Sequence, residues 1–187
     1  MKTRRMKGQY FLLSSFFLIL LFYAGIAIYF SPSSLISASG DLAHLFENIE
    51  KEYPKAFNLG MQASAPAATL VNFTALAQSL ATRRGAAFRA LWVITENVSD
   101  ALNVTVGNWL GQNITITLNV SGDVKLLSVS EGSVNSTLFS APPSEFTLAL
   151  SFNTSQKNLL LEKYKANLYL LLEIERGDDK IAGEIKA

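Results

Sequence analysis

The chain has 187 residues, with 16 basic and 15 acidic side chains and a formal net charge of +1. Four of the basic residues lie among the first seven, so the rest of the chain carries twelve basic against fifteen acidic side chains, a balance of about −3. This balance gives no basic footprint for nucleic acid. Cysteine is absent, which excludes disulfides, thiol chemistry and thiolate metal sites.

The first predicted element is a membrane-spanning helix. Tyr10 to Phe30 is a run of 21 mostly apolar residues, and no charged side chain occurs between Lys7 and Asp41. At about 1.5 Å per residue, such a helix covers the roughly 30 Å hydrocarbon core of a bilayer. Basic residues precede the run and acidic residues follow it, so we expect a single-pass protein of the cell membrane, with its N-terminus cytoplasmic and its C-terminal domain extracellular. A cleaved secretory signal is the competing interpretation, but the run is long for one and residues 28–31 are too bulky for its cleavage site.

The junction before this run resembles a known processing signal. Lys7-Gly8-Gln9, directly before a long aromatic-rich apolar helix, resembles the class III signal of archaeal type IV pilin-like proteins. The resemblance covers about the first thirty residues. It implies cleavage by a prepilin peptidase between Gly8 and Gln9, retention of the helix, and like subunits as partners in a filament. Many members have glutamate at the fifth mature position, where this chain has Leu13, and this departure bears on assembly more than on processing. A plain uncleaved anchor is the alternative.

Two amphipathic helices are predicted next. Apolar residues recur at three-and-four spacing after Asp41, the predicted N-cap, and this helix is predicted to stop near Pro54, because proline has no amide hydrogen and clashes with the preceding turn. Residues 58–68 are rich in small side chains and are predicted to be a connection. A second helix is predicted to open at Thr69 or Asn72, with one apolar face formed by Leu70, Phe73, Leu76, Ala77 and Leu80. Residues 86–95 have no assignable period and fit either more helix or a first strand.

After Val98 the apolar period changes to two, which predicts half-buried strands with one wet face. Leu168 to Leu172 is apolar on both parities, so that strand is predicted to be central and covered on both faces. Turn signals separate the strands at nearly regular spacing, as in an antiparallel sandwich. The predicted strands lie around 102–106 and at 114–120, 123–130, 134–139, 145–152, 158–162, 166–175 and 180–185.

The predicted fold class is therefore α+β, with an N-terminal transmembrane helix and a helical stalk followed by an antiparallel β-sandwich. We divide the chain into a basic cytoplasmic leader (1–8), the transmembrane helix (9–31), the helical stalk region (32–97) and the extracytoplasmic sandwich (98–187).

Seven Asn-x-Ser/Thr sequons lie on the predicted exterior side. Three of them, at Asn103, Asn113 and Asn119, are predicted to fall on the wet parity of their strands. Glycans there would give a soluble cover against proteases and unwanted edge pairing. The alternative is that polar strand faces rich in Asn and Thr generate the pattern without any sugar. The candidates are Asn72, Asn97, Asn103, Asn113, Asn119, Asn135 and Asn153.

Few residues suggest catalysis. His44 is the single histidine and is predicted to be a surface helix residue, with no second imidazole or thiol to share a metal. The pair Glu173/Glu175 is predicted to lie on the wet face of a strand, and the pair Asp178/Asp179 in a turn. Arg176-Gly177-Asp178 spells an adhesion tripeptide, but a hairpin turn selects Gly and Asp for backbone reasons. Arg83, Arg84 and Arg89 are predicted to form a small solvated basic patch.

No phosphate loop, nucleophile elbow or metal motif occurs in the sequence, so we expect no enzyme and no cofactor. The predicted function is that of a pilin-like surface protein, a minor pilin or an adhesion component. The alternative is a permanently anchored ectodomain that acts as a binding or cell-envelope module without polymerising, and an unrecognised enzyme is the residual case.

Overall fold

The computed structural model describes residues 38–140, 142–152 and 155–187, which form two α-helices and nine β-strands. The predicted strands from 114 onward are confirmed, each to within three residues at either end. The helices are α1 (Ala38–Gln62) and α2 (Pro66–Arg83). The strands are β1 (Ala87–Val98), β2 (Ala101–Trp109), β3 (Ile114–Val120), β4 (Asp123–Val129), β5 (Ser133–Phe139), β6 (Glu145–Phe152), β7 (Ser155–Glu162), β8 (Asn167–Arg176) and β9 (Asp179–Lys186).

The strands form two antiparallel sheets. One has the order β5-β2-β1-β8-β9 and the other the order β4-β3-β6-β7. Side chains from both sheets share one core, so the sheets pack face to face. A second core joins both helices to the opposite face of the five-stranded sheet. The fold is thus α+β, as predicted, with antiparallel sheets in a sandwich-like arrangement and the helices as a third layer.

The five-stranded sheet is the middle layer, and its central strands are buried on both faces. In β1, Trp92 and Ile94 pack with the helices, whereas Leu91 and Val93 pack with the four-stranded sheet. A strand covered on both sides is apolar on both parities, which is why residues 86–95 show no period. The same reasoning applies to β8, whose predicted central position is confirmed.

Helix α1 is longer than the sequence predicts. It continues through Pro54 to Gln62, because Phe57 is buried one turn beyond the proline. It ends in a Schellman motif: the N–H of Ala65 bonds to the carbonyl of Gly60, and Ser64 takes the left-handed conformation at φ 54°. Serine replaces the usual glycine there, so the sequence gives no clear stop signal. The predicted connection over 58–68 is therefore wrong, since only residues 63–65 lie between the helices.

Helix α2 begins at Pro66, three residues before the earliest predicted start. Proline suits this first-turn position because its missing N–H has no intrahelical partner there. The predicted apolar face is partly wrong, since Leu76 is 55% and Leu80 39% exposed. Small residues face the sheet instead, which allows a close approach of the helix. The buried stripe is Pro66, Leu70, Thr74, Ala77 and Ala81.

The predicted helical stalk over 32–97 is also corrected. Both helices share a core with the five-stranded sheet, and residues 87–97 belong to β1, so the predicted boundary at 98 falls at the end of that strand. Within the described residues, no helix is long and apolar enough to span a membrane. The predicted transmembrane helix (9–31), the processing residues Gly8 and Gln9, and Leu13 all lie outside those residues.

A buried hydrogen-bond cluster joins the helices to the middle sheet. The Thr74 hydroxyl donates to the Leu70 carbonyl at 2.6 Å and accepts from the Tyr53 hydroxyl at 3.0 Å and from Trp92 Nε1 at 3.2 Å. All three side chains are fully buried. The Trp92 indole lies against Gly107, where an added Cβ would come within 2.2 Å of it. One threonine thus uses its full hydroxyl capacity to align α1, α2 and β1.

Candidate functional site

An open cleft lies between the two sheets at the end of the sandwich where β1 begins and β8 ends. Its volume is about 460 Å³, within the range of small-molecule sites. Arg89, Glu173 and Lys180 supply charged groups, Gln112 an amide, and Phe152 and Leu171 part of the apolar wall. Along β1, Arg89 shares the inward face with the core residue Leu91, at the open end of the sandwich.

Strand pairing brings the cleft charges together. Arg89 is the register partner of Glu173 across β1 and β8, and Glu175 is the partner of Lys180 across β8 and β9. The Arg89 guanidinium donates to Glu173 and, at 3.0 Å, to Glu175, while Lys180 Nζ lies 2.8 Å from the second oxygen of Glu173. We call Arg89, Glu173, Glu175 and Lys180 the cleft cluster.

The cleft cluster perturbs the ionisation of its own members. Burial alone would raise the pKa of Glu173, which is 20% exposed, but hydrogen bonds and charges from Lys180 and Arg89 outweigh it, so the pKa is lowered. The hydrogen bond to Glu173 is the main reason that the pKa of Arg89 is raised, although burial opposes it. Cation and carboxylate therefore hold each other in the charged form.

The β2–β3 loop forms one wall of the cleft, and a buried asparagine fixes its shape. Asn108 Nδ2 donates to the carbonyls of Gln112 and Val129, at 2.8 and 3.1 Å, and its Oδ1 accepts from the amide of Leu110 at 3.1 Å. The amide of Gly111, whose φ is +83°, donates to the carboxylate of Glu131 at 2.7 Å. The wall is thus held to the β4–β5 turn before any ligand binds.

The cleft offers hydrogen-bonding and charged groups for binding a polar molecule. The two cations and two carboxylates of the cleft cluster already pair with each other. A ligand would therefore have to accept and donate its hydrogen bonds beside these existing ion pairs. Across the described ranges, no group of three or more His, Asp or Glu side chains is placed to hold a metal ion.

The structure places the other sequence candidates apart from this cleft. His44 is exposed on α1. Asp178 and Asp179 are exposed at the β8–β9 turn. Glu173 and Glu175 do lie together, but facing the cleft and bonded to Arg89.

The predicted basic patch of three arginines does not form. Arg89 lies in the cleft, while Arg84 donates to Asp41 at 3.0 Å. Asp41, in the first turn of α1 and not at its cap, also accepts from Arg176 at 3.3 Å. This carboxylate joins the start of α1 to the ends of α2 and β8. The Arg176-Gly177-Asp178 sequence accordingly has a structural reason, with its arginine bonded to Asp41 and Gly177 in a turn at φ +61°.

The sequence did not predict the cleft, because Arg89 could not be placed on a strand. Once β1 is known, its period of two sets Arg89 on the inward face, and antiparallel pairing sets it opposite Glu173. An inward-pointing arginine near the end of an otherwise apolar strand was the available signal.

The described sequon asparagines are spread over the surface. Asn72 lies on α2, Asn97 is the second-last residue of β1, Asn113 precedes β3 and Asn135 lies on β5, and all four are exposed. The half-buried pair is Asn103 on β2 and Asn119 on β3. The predicted wet parity is wrong for Asn103, since it shares the helix-side face of β2 with Gly107. Asn153 lies outside the described residues.

No protein-family model matches the chain, and a search of curated proteins finds no sequence similar to it.

Proposed function

We propose that this chain is a membrane-anchored surface protein of pilin-like organisation, a minor pilin or adhesion component that displays its sandwich outside the cell. The observation that carries the proposal is the order of segments. A basic leader ending in Lys7-Gly8-Gln9 precedes an uncharged apolar run to Phe30, and α1 follows seven residues after the run.

The packing of α1 supports this role. Its apolar face is buried with the five-stranded sheet from Leu42 to Phe57, over four turns of helix. The sandwich is therefore joined to the N-terminal side of the chain through a packed helix.

The exposed chemistry of the sandwich suits binding. The cleft cluster offers paired charges next to Phe152 and the amide of Gln112, a mixture that can hold polar groups by hydrogen bonds. We assign the domain contact with its surroundings, with no catalytic step and no cofactor. Membrane lipid, a prepilin peptidase and like subunits are the partners of the proposal.

Surface labelling of whole cells tests the orientation. Intact cells are treated with a membrane-impermeant amine reagent, and labelled lysines are mapped by mass spectrometry. Lys51 and Lys55, with side chains 67% and 68% exposed on α1, should be labelled in intact cells, while Lys2 and Lys7, where retained, should need lysis. Labelling of α1 only after lysis would overturn the proposal.

A permanently anchored, non-polymerising ectodomain is the second candidate. Leu13 favours it, because many pilin-like proteins carry glutamate at that position. Shearing the cells separates the two: filaments containing this chain in the sheared fraction support a pilin, whereas a chain found wholly in the membrane supports the anchor.

A further inference from the structure

We infer that the folded domain carries N-linked glycans at Asn97, Asn113 and Asn119, and that the sequons at Asn72, Asn103 and Asn135 stay bare. The inference rests on the proposed exterior location, because sugar transfer to asparagine would take place there.

In the reaction, Asn Nδ2 bonds to C1 of the sugar and loses one proton. The bond from C1 to the phosphate of a lipid-linked oligosaccharide breaks, and the lipid phosphate leaves. The enzyme class required is a membrane oligosaccharyltransferase.

Transfer to a folded chain needs two accessible groups, the asparagine amide and the hydroxyl two residues later. The sequon of Asn72 lacks the second group, an accessible hydroxyl. Its hydroxyl belongs to Thr74, which is fully buried and bonded to Leu70, Tyr53 and Trp92. This sequon has a structural explanation, because the core requires a threonine at position 74.

The sequon of Asn103 fails on both groups. Asn103 Nδ2 is engaged as a donor to the hydroxyl of Thr105 at 3.3 Å, and Thr105 is itself buried. In the third case, Asn135 on β5 donates from Nδ2 to the Ser128 carbonyl on β4 at 2.9 Å, while its Oδ1 accepts from Ser136. A sugar on that nitrogen would have to lie in the seam between the two sheets.

The other three sequons present both groups. Asn97 is exposed and Ser99 is exposed in the β1–β2 turn. Asn113 is exposed and Thr115 is an exposed residue of β3.

At two of these sites, the amide oxygen is held and the nitrogen is left available. Asn113 Oδ1 accepts from the backbone N–H of Glu131, and Asn119 Oδ1 accepts from that of Gly122, both at 2.9 Å. Neither Nδ2 has a hydrogen-bond partner among the described residues. The hydroxyl for Asn119 is on Ser121, exposed in the β3–β4 turn. Both amides are thus oriented by the fold with Nδ2 unused.

The glycan at Asn119 would also cover exposed apolar side chains beside it. Asn119 lies on the outer face of the four-stranded sheet, paired with Val124 and Ala149. On this face Val124 is 55% and Leu126 72% exposed on the neighbouring strand β4. Leu160, 76% exposed, lies on the opposite edge strand β7, and the charged side chains, Glu145 and Glu162, lie at one end. Exposed apolar sheet faces promote association, so a sugar there would keep the domains apart.

Glycopeptide mapping of the full chain from its native membrane tests the inference. We expect sugar on peptides containing Asn97, Asn113 and Asn119 and none on those containing Asn72, Asn103 and Asn135. Sugar at Asn72 or Asn103 would overturn it, because transfer would then precede folding. Bare peptides at the three predicted sites would overturn it as well.

Matched variants test the covering role. Asn119→Gln and Ser121→Gly both destroy the sequon; the second keeps the asparagine and suits the φ of +51° at position 121. Each should lower the intact mass by one glycan and increase self-association of the detergent-solubilised chain in sedimentation. Asn72→Gln, at an exposed helix position, should change neither. Loss of the glycan with unchanged sedimentation would overturn the covering role.

Whole-cell labelling separates this inference from the proposed function. An unglycosylated chain whose α1 lysines are labelled in intact cells would refute the glycan inference alone. An unglycosylated chain labelled only after lysis would refute both.

Discussion

Thr74→Val tests whether the buried hydroxyl holds the three layers together. Valine keeps the shape of threonine but removes the acceptor of the Tyr53 hydroxyl and of Trp92 Nε1, both in fully buried side chains. Burial raises the pKa of Tyr53, and the bond to Thr74 lowers it only in part, so the phenol stays a protonated donor. Each buried donor left without a partner costs about 1–3 kcal/mol, so the variant, which orphans two donors, should lose about 2–6 kcal/mol of unfolding free energy. That is a large fraction of the roughly 5–15 kcal/mol typical of a domain.

The assay is urea unfolding of the full chain in detergent, followed by tryptophan fluorescence. Both tryptophans of the chain lie in the helix-side core and stack at 6.0 Å, so the signal reports this core. Tyr53→Phe removes the phenol donor instead of its acceptor and should cost less. The stability loss of the double variant should be smaller than the sum of the two single losses by about 1 kcal/mol or more. The reason is that the double variant has no phenol hydroxyl left to orphan. A Thr74→Val loss below about 0.5 kcal/mol would refute the reasoning, since typical surface substitutions have effects of that size.

Three further predictions concern the backbone and the cleft. Gly107→Ala should lower the urea midpoint strongly, since its Cβ would come within 2.2 Å of the Trp92 indole; a midpoint equal to wild type would exclude this close contact. Pro54→Ala should raise the thermal midpoint, because proline inside a helix costs about 3 kcal/mol, and a lower midpoint would show that the proline is needed. The pKa of Glu173 is lower in the folded than in the unfolded chain. Ionised Glu173 therefore stabilises the folded state fully above the unfolded pKa, and this stabilisation is lost as the pH falls through the folded pKa. The urea midpoint of the wild type should therefore fall between pH 7 and low pH, and this fall should be smaller in Glu173→Gln. In the control Glu47→Gln the fall should equal that of the wild type. Equal falls in the two variants would contradict the stabilising role of the ion pairs of Glu173.

The strands from 114 onward could be predicted from the sequence because each has one wet face. Ile114 to Val120 alternates apolar and polar residues, and it forms β3 with those bounds. By contrast, β1 is buried on both faces, so periodicity could not separate it from a helix.

The helix ends could not be predicted because tertiary packing outweighed local signals. Burial of Phe57 carries α1 past Pro54, and Ser64 caps it where glycine is usual. In α2, Leu70, Phe73 and Ala77 pack in the helix-side core as predicted, while Leu76 and Leu80 stay exposed and the small residue Ala81 is buried in their place.

The acidic half of the cleft was visible in the sequence and the basic half was not. Glu173 and Glu175 stand two apart on a predictable strand, but Arg89 lies 84 residues before Glu173. Pairing over that separation depends on the order of strands in the sheet, which local patterns do not specify.

The N-terminal sequence and intact mass of the protein isolated from its native membrane test the pilin-like organisation most directly. We expect a chain that begins at Gln9 and keeps the apolar run to Phe30. A chain that begins at Met1 or Lys2 would contradict the pilin-like processing and leave a plain anchor, and one that begins after Phe30 would contradict the membrane anchor itself.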